Sequence, residues 1–367
     1  MHIAVVTRNM CGGGAERVIA QLLGKWSEKG IKCSLVCMHP QAAFYTFPET
    51  TQCYDVPDFS ENPNIDKIKK YKHLRKLLKQ IKPDVVLSMP EEIGIYAVLA
   101  MLGSGIPMVV SERNNPWVMP NKKISRIARR MAYPFAKGLI FQTQQAAAFF
   151  PKSQQRKGIV LPNPLDASRL PPVYMGERKK TVVSAGRLEN QKNFFLLIEA
   201  FALFYKTHPS YKLVIYGEGI LRNELEAFAK ERLPENAWCM PGQVSDLPQR
   251  IAKSGIFALS SDYEGVPNVL IEAMAVGTPC VSTDCAPGGA AELIKNRQNG
   301  LLVPVKDVKA LADALSDMAD KPENAMQMAQ KAPDIRTALD ADAVADRWRA
   351  YLTQCIKEQR KKYEDCN

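Results

Sequence analysis

The chain has 367 residues, more than one hydrophobic core usually organises, so we expect two domains. Hydrophobic residues make up 46% of the chain, charged residues 24% and aromatic residues 8%, which excludes a disordered, collagen-like or disulfide-scaffold protein. The formal net charge is +11, so the surface must carry a marked excess of cations.

The N-terminal half alternates short β-branched runs with helical patterns. Strands are predicted at 3–7, 32–36, 85–88, 108–111, 138–142 and 158–161. Helices are predicted near 15–28, 64–82, 92–102, 121–136 and 144–149. This alternation is typical of βαβ units and predicts a parallel, doubly wound sheet over residues 1–165.

Two segments of this half hold most of the positive charge. Residues 61–82 contain eight Lys or Arg and two acids, and residues 121–137 contain six and no acid. The first segment reads as an amphipathic helix, which either docks on anionic lipid or packs its apolar stripe on its own sheet. The cations we assign to a membrane surface are Lys69, Lys70, Lys72, Arg75, Lys76, Lys79, Arg129 and Arg130. Few aromatic residues lie among them, so a nucleic-acid partner is not expected.

The proline-rich, aperiodic stretch 166–180 is predicted to be a linker. The α/β pattern then restarts, which predicts a second Rossmann-like domain over residues 181–340 with a ligand cleft between the two halves. Residues 341–367 are predicted to form a C-terminal helix that packs back on the first domain.

Several features bear on the compartment. The nine cysteines form no C-x-x-C or Cys/His cluster, so reduced thiols are expected and structural zinc is not. The first residues look like a strand rather than a signal peptide, and no run of about 18 apolar residues is present. We therefore expect a soluble, cytoplasmic protein.

A glycine-rich turn follows the first predicted strand. Gly13 and Gly14 open the first helix, where backbone N–H groups can face an anion. The spacing does not match G-x-G-x-x-G, so NAD is not indicated. A simple tight turn remains the alternative.

Charged residues with stronger implications lie in the second half. Arg187 and Lys192 occupy one strand-to-helix loop, where a guanidinium and an ammonium could clamp a diphosphate. Glu264 stands in a loop before a helix, and Glu272 lies about one turn into that otherwise apolar helix. A buried carboxylate there needs a polar partner, and a ribose diol would supply two donors.

These residues belong to longer motifs that resemble those of a known protein family. The segment 264–283, E-G-V-P-N-V-L-I-E-A-M-A-V-G-T-P-C-V-S-T, and the segment 186–193, G-R-L-E-N-Q-K-N, resemble the donor-binding half of glycosyltransferase family 4. G-G-G-A-E-R at 12–17, K-P-D-V-V at 82–86, Y-G-E-G at 216–219 and N-G-L-L-V at 299–303 extend the resemblance over nearly the whole chain. It implies a retaining enzyme with the GT-B fold, two Rossmann-like doubly wound domains facing a central cleft.

The resemblance also implies roles for individual residues. Arg187, Lys192 and Glu264 would be catalytic, the two cations offsetting charge on the leaving diphosphate. Glu272 would bind the ribose hydroxyls, and Val244 would contact the base. The implied donor-binding set is Gly13, Gly14, Arg187, Lys192, Val244, Glu264, Gly265, Asn268, Val269, Leu270 and Glu272.

One position departs from the family pattern. Many relatives carry a histidine where this chain has Arg113, in the run Ser-Glu-Arg-Asn-Asn. Arg113 and Asn114 would therefore face either the diphosphate of an acceptor or a polar group of the donor sugar.

The resemblance implies transfer of a hexose or N-acetylhexosamine from a UDP-sugar to a polyprenyl-diphosphate-linked glycan, at the inner face of the plasma membrane. No cofactor or metal is expected, because the only D-x-D, Asp340 and Asp342, points its two carboxylates to different faces of a helix. Two alternatives remain: a nucleotide-sugar 2-epimerase of the same fold, and a non-catalytic basic lipid-binding protein.

Overall fold

The computed structural model describes residues 1–364, and side chains as far as residue 361. The chain divides into two compact units. The N-terminal unit comprises Met1–Pro164 and the chain from Ala341 onward, and the C-terminal unit comprises Leu165–Asp340. The second unit is therefore inserted into the first.

The N-terminal unit is built on a seven-stranded parallel sheet with the strand order β3-β2-β1-β4-β5-β6-β7. The strands are β1 (His2–Thr7), β2 (Lys32–Cys37), β3 (Gln52–Asp55), β4 (Val85–Ser88), β5 (Met108–Ser111), β6 (Gly138–Phe141) and β7 (Gly158–Val160). Reversal of the strand order beside β1 is the arrangement of a doubly wound Rossmann-like sheet. The short strand β3 was not foreseen from the sequence.

Helices cover both faces of this sheet. They are α1 (Gly14–Glu28), α2 (Pro63–Ile81), α3 (Glu91–Ala100), α4 (Lys123–Ala132), α5 (Gln144–Ala148), α6 (Lys152–Arg156) and α15 (Ala341–Glu364). Alternate residues of β1 enter opposite cores, with Ile3 and Val5 on one side and Ala4 and Val6 on the other. This two-sided burial explains why the strands read as continuous apolar runs.

The final helix, α15, completes one of these cores. Trp348 is fully buried beside Trp26, whose indole N–H donates to the Ala345 carbonyl at 3.1 Å. The Leu139 amide donates to the Tyr351 hydroxyl at 3.0 Å, which ties α15 to β6. The core of the N-terminal unit thus includes residues from both ends of the chain.

The C-terminal unit contains a six-stranded parallel sheet with the order β10-β9-β8-β11-β12-β13. Its strands are β8 (Lys179–Ala185), β9 (Lys212–Tyr216), β10 (Trp238–Gly242), β11 (Ser254–Leu259), β12 (Cys280–Thr283) and β13 (Leu301–Val303). Its helices are α7 (Phe194–Tyr205), α8 (Arg222–Arg232), α9 (Leu247–Ala252), α10 (Asn268–Ala275), α11 (Gly289–Leu293), α12 (Val308–Asp320), α13 (Pro322–Lys331) and α14 (Ile335–Ala338). Each half is therefore the Rossmann-like α/β domain that the GT-B fold requires.

The stretch expected to be a linker, 166–180, is instead integrated into the C-terminal unit. The Tyr174 amide donates to the Val276 carbonyl at 3.2 Å, and the Arg178 guanidinium donates to the carbonyls of Tyr174 and Gly277. Apart from a 3₁₀ turn at Ala167–Arg169 the segment is irregular as far as β8, and hydrogen bonds from Arg178 help to fix it. Strand β8 already begins at Lys179.

Two further expectations from the sequence concern the cysteines and membrane-spanning helices. All eight cysteines in the described part of the chain are free thiols, and Cys366 lies outside it. Among the described residues, no helix is both long enough and apolar enough to cross a bilayer.

Strand-end loops of the C-terminal unit are packed backbone against backbone. The Gly186 amide donates to the Tyr216 carbonyl at 3.0 Å, and the Leu188 amide donates to the Glu218 carbonyl at 2.9 Å. Gly217 has φ +132°, and a Cβ built on it would lie 1.9 Å from the Gly186 carbonyl oxygen. The Y-G-E-G motif therefore supports the neighbouring G-R-L loop.

We expect Gly217→Ala to lower the free energy of unfolding by about 1–3 kcal/mol, because the new Cβ meets backbone at a φ that disfavours L-residues. Gly24→Ala is the matched control, since nothing lies within 4 Å of a Cβ there and Gly24 is inside α1. That control should gain roughly 0.5–1 kcal/mol. Urea denaturation measures both, and equal midpoints for the two variants would contradict the close-packing argument.

Candidate functional site

The candidate site of the C-terminal unit lies where β8 and β11 end, the edge at which parallel sheets bind ligands. The loop after β8 and the loop after β11 are joined by side-chain and backbone bonds. The Ser260 hydroxyl donates to the Lys192 carbonyl at 2.9 Å, and the Asp262 amide donates to the Gln191 carbonyl at 2.9 Å. Strand pairing therefore makes one surface from segments about seventy residues apart.

Asn193 fixes the exit from the first of these loops. Its backbone is left-handed, with φ 44°, and its side-chain oxygen accepts from the Leu196 amide at 3.2 Å, capping α7. Its amide nitrogen donates to Asp262 Oδ1 at 2.8 Å. One side chain thus starts the helix and links the two loops.

Glu264 and Lys192 form a largely buried ion pair. The Glu264 carboxylate also accepts from Gln191 Nε2 at 3.1 Å and from the Ser261 hydroxyl at 2.9 Å. Three donors therefore hold this carboxylate in one orientation. An ammonium has three N–H donors, so the pair leaves Lys192 with capacity to bind an anion.

Gly186 makes room for this lysine. A Cβ at Gly186 would approach Lys192 Cε to 2.8 Å. The glycine therefore lets the lysine side chain lie along the loop toward Glu264.

Arg187 is the exposed cation of the same loop. Its guanidinium contacts Glu189 at 3.3 Å across an exposed surface. Exposed pairs of this kind contribute about 0–1 kcal/mol, so an incoming anion can compete for the guanidinium. The two cations of this loop therefore differ: Lys192 is largely buried and held by Glu264, whereas Arg187 is exposed.

Helix α10 carries the remaining predicted donor-site residues. Asn268 and Val269 are half-buried in its first turn, where helix N–H groups point outward. The Leu270 amide donates to the Pro267 carbonyl at 3.1 Å, so it has a partner within the first turn. Glu272 is buried one turn after Asn268, on the same face of the helix.

The approach to α10 is also fixed by backbone packing. A Cβ at Gly289 would lie 1.5 Å from the Gly265 carbonyl oxygen, so α11 packs directly on the buried Gly265. Val244, in the loop after β10, is half-buried against the core under α10. These contacts hold the strand-end loops in place without long side chains.

In the N-terminal unit, Gly13 is the N-cap of α1 and Gly14 its first residue. The sequence did not reveal what holds this turn. The Tyr45 hydroxyl donates a shared hydrogen bond to the carbonyl oxygens of Gly12, at 3.2 Å, and Gly13, at 3.3 Å. The largely exposed Phe44 lies beside Gly12, and a Cβ built on Gly12 would be 3.3 Å from Phe44 Cγ.

Arg113 directly follows Glu112 beyond the end of β5. Its Nη2 donates to Asn163 Oδ1 at 2.5 Å, while Nε and Nη1 are buried without a hydrogen-bond partner in the described structure. Burial lowers the pKa of Arg113 to about 10, opposed by the charges of Glu91 and Glu16. The neighbouring Asn114 side chain accepts from the Asn115 amide at 2.8 Å and so shapes the turn.

The prediction of a membrane-binding role is wrong for two of the cations, Arg129 and Lys70. Arg129 is buried, 3.5 Å from the Glu112 carboxylate, and donates to the carbonyls of Pro116 and Met119. Burial and the charge of Glu91 raise the pKa of Glu112 to about 8. Arg129 is therefore an internal support of the loop at 115–119 rather than a lipid contact.

Lys70 is the second correction. It is buried and pairs with Asp58 and with Asp66, the latter at 3.2 Å. Arg75 is half-buried and donates to carbonyls at the end of α3. The cations that do lie on the surface are Lys69, Lys72, Lys76, Lys79 and Arg130.

Metal-binding geometry is not seen in the described residues, where no three His, Cys, Asp or Glu side chains cluster suitably. The charged side chains described above for the C-terminal site include Arg187, Glu189 and the Lys192–Glu264 pair.

Comparisons with known proteins agree with this architecture. The family model "Glycosyltransferase Family 4" matches residues 12–169, and "Glycosyl transferases group 1" matches residues 174–334. The fold of an Anabaena HepE protein, solved with UDP and glucose, is similar with a TM-score of 0.81 at 18% identity, covering 96% of this chain and 99% of that one.

Two curated relatives come from Campylobacter jejuni. One, an alpha-1,4-N-acetyl-D-galactosaminyltransferase named for a GalNAc-GalNAc-diNAcBac-PP-undecaprenol substrate, is 30% identical over 86% of this chain and 88% of its own. The other, an N-acetylgalactosamine-N,N'-diacetylbacillosaminyl-diphospho-undecaprenol 4-alpha-N-acetylgalactosaminyltransferase, is 30% identical over 94% and 97%. With two matching domain models and relatives aligned along nearly their full length, this chain belongs to the family 4 glycosyltransferases and has the GT-B fold.

Proposed function

We propose that this glycosyltransferase is a retaining enzyme that moves a hexose or N-acetylhexosamine from a UDP-sugar to a polyprenyl-diphosphate-linked glycan. The observation that carries the proposal is the Lys192–Glu264 pair beside the exposed Arg187 at the carboxyl edge of the C-terminal sheet. The two Campylobacter relatives support the acceptor class, since both are named for undecaprenyl-diphosphate-linked sugars.

The leaving group in this proposal is a nucleoside diphosphate. Lys192 offers a preoriented ammonium and Arg187 an exposed guanidinium, which together offset charge developing on the phosphate oxygen as the sugar leaves. The UDP in the Anabaena neighbour makes uridine the first base to test. Glu272 would accept hydrogen bonds from the ribose hydroxyls, and Val244 would contact the base.

Retention is proposed to occur by attack on the same face of the sugar. The bond from the anomeric carbon to the β-phosphate oxygen breaks, the acceptor hydroxyl oxygen bonds to that carbon, and the hydroxyl proton passes to the released phosphate oxygen. Glu264 is a poor candidate for a covalent nucleophile, because Lys192, Gln191 and Ser261 already hold its oxygens. We propose instead that Glu264 orients Lys192 and the donor sugar.

The acceptor is assigned to the N-terminal unit. Arg113 holds two buried guanidinium donors without partners, which is costly unless an anion or polar group meets them. The diphosphate of the acceptor has the charge to do so. We also propose that Lys69, Lys72, Lys76 and Lys79 on α2 attract the enzyme to an anionic inner-membrane surface.

The direct test is transfer of radiolabelled sugar to a short-chain polyprenyl diphosphate carrying an N-acetylhexosamine. We expect product with one UDP-sugar, with anomeric configuration retained by NMR. The rate should be unchanged in EDTA, because Arg187 and Lys192 supply the positive charge. Inverted product would overturn the retaining mechanism, and a loss in EDTA reversed by magnesium would overturn the metal-free one. Binding of anionic lipid without any transfer or donor binding would favour a non-catalytic protein.

The diphosphate clamp predicts kinetic losses in single variants. Arg187→Ala and Lys192→Ala should each lower kcat by ~10²-fold or more, because charge stabilisation of the leaving group is lost. Arg297→Ala is the matched control, an exposed arginine of the same unit paired with Asp317 at 3.4 Å. Wild-type turnover in both test variants would remove the clamp from the mechanism.

Arg113 yields a separate prediction. Arg113→Gln should raise KM for the diphosphate-linked acceptor by roughly tenfold or more while leaving donor hydrolysis unchanged, because one charge-assisted contact is lost. The exposed Arg156→Gln, in the same unit, serves as control. A raised KM for the donor instead would place Arg113 on the sugar side.

A further inference from the structure

Helix α4 has its polar and apolar faces reversed relative to an ordinary surface helix. Ser125, Arg129 and Ala132 face the interior. The apolar side chains face outward, with exposed fractions of 70% for Ile124, 60% for Ile127, 62% for Met131 and 62% for Phe135. An amphipathic helix that only packed on its own sheet would show the opposite arrangement.

These apolar residues form one stripe. Ile124, Ile127 and Met131 are spaced by three and four residues, so they lie on a common helix face. Phe135 extends the stripe through the 3₁₀ turn Tyr133–Phe135 that follows. Such a contiguous apolar surface needs a partner, whereas single exposed apolar residues do not.

A neighbouring loop presents more apolar surface. Arg129 donates to the carbonyls of Pro116 and Met119, and Arg126 Nη1 donates to the Val118 carbonyl at 3.0 Å. Trp117 and Val118 of this loop are exposed, and the Trp117 ring is braced edge-on by Phe149. The exposed tryptophan is therefore held in position by bonds from α4.

The charges beside the stripe select its partner. Residues 121–137 contain no acid, and Lys122, Lys123 and Arg130 are exposed. Apolar side chains ringed by cations match the headgroup region of an anionic bilayer, where the stripe meets acyl chains and the cations meet phosphates. An exposed tryptophan at the edge of such a surface also suits the membrane interface.

We propose that the α4 face, consisting of Ile124, Ile127, Met131, Phe135, Trp117 and Val118, inserts shallowly into an anionic membrane. The inference rests on the proposed function, because a polyprenyl-linked acceptor lies in the bilayer. It differs from attraction by α2, whose Leu74 and Leu78 are buried in the protein core, so that Ile65 and Ile68 are its exposed large apolar residues. In this assignment α2 supplies long-range attraction and α4 supplies insertion.

Vesicle binding of the full chain tests the proposal. We expect wild type to cosediment with vesicles of phosphatidylglycerol and phosphatidylcholine in equal parts, and Ile124→Asn/Ile127→Asn to weaken this at least about tenfold, because both side chains would lose contact with acyl chains. Met175→Asn/Leu203→Asn is the control, two exposed apolar residues of the C-terminal unit. Equal binding by wild type and the α4 variant would overturn the proposal.

Trp117 provides an internal reporter. Brominated lipids should quench wild-type fluorescence on vesicles, and Trp117→Phe should abolish most of that quenching, since Trp26 and Trp348 are buried and Trp238 is half-buried in the C-terminal unit. Unquenched fluorescence of bound protein would mean adsorption without insertion. Sedimentation equilibrium without lipid gives a further check: a dimer that Ile124→Asn/Ile127→Asn dissociates would assign the face to a second copy of the chain and overturn lipid insertion.

Failure of this inference and of the proposed function can be told apart. Transfer to a water-soluble short-chain acceptor should be the same in wild type and Ile124→Asn/Ile127→Asn. If wild type inserts into vesicles but transfers no sugar, the proposed function fails. If both proteins transfer equally from solution and bind vesicles equally, only the insertion proposal fails.

Discussion

The ion pair between Lys192 and Glu264 is the contact on which the C-terminal site depends. It joins a loop after β8 to a loop after β11, and Gln191 and Ser261 complete the set of donors around the carboxylate. A partly desolvated lysine is acceptable here only because its charge is matched. The same pairing holds the ammonium in one place, as the proposed stabilisation of a departing diphosphate requires.

Glycines make that pairing possible by letting backbones touch. Gly217 supports the Gly186 carbonyl, Gly186 leaves space for the lysine stem, and Gly289 lies against Gly265. Gly186 and Gly217 belong to the motifs G-R-L-E-N-Q-K-N and Y-G-E-G, so these contacts give the glycines of both motifs a packing role. Part of each motif therefore serves backbone packing within the C-terminal unit.

The sequence predicted most of the fold because apolar strands and amphipathic helices alternate clearly, but it missed β3, which is short, polar and at a sheet edge. It placed Lys70 on the surface by residue type. Its spacing of four from Leu74, which together with Leu78 marks the buried face of α2, was the signal that it is buried. The Lys192–Glu264 contact and the Tyr45 bond to the glycine turn could not be predicted, because strand order and loop conformation determine them.

The return of α15 to the N-terminal unit has a consequence for biosynthesis. The core around Trp26 lacks Trp348 until the whole inserted unit, Leu165–Asp340, has been synthesised. At about 5–20 residues per second, synthesis of the inserted unit takes seconds. During this time the core around Trp26 is incomplete, while the inserted unit can already fold. The N-terminal unit is thus begun first but completed last. Loss of α15 would expose the core around Trp26, in the part of the chain that is synthesised first.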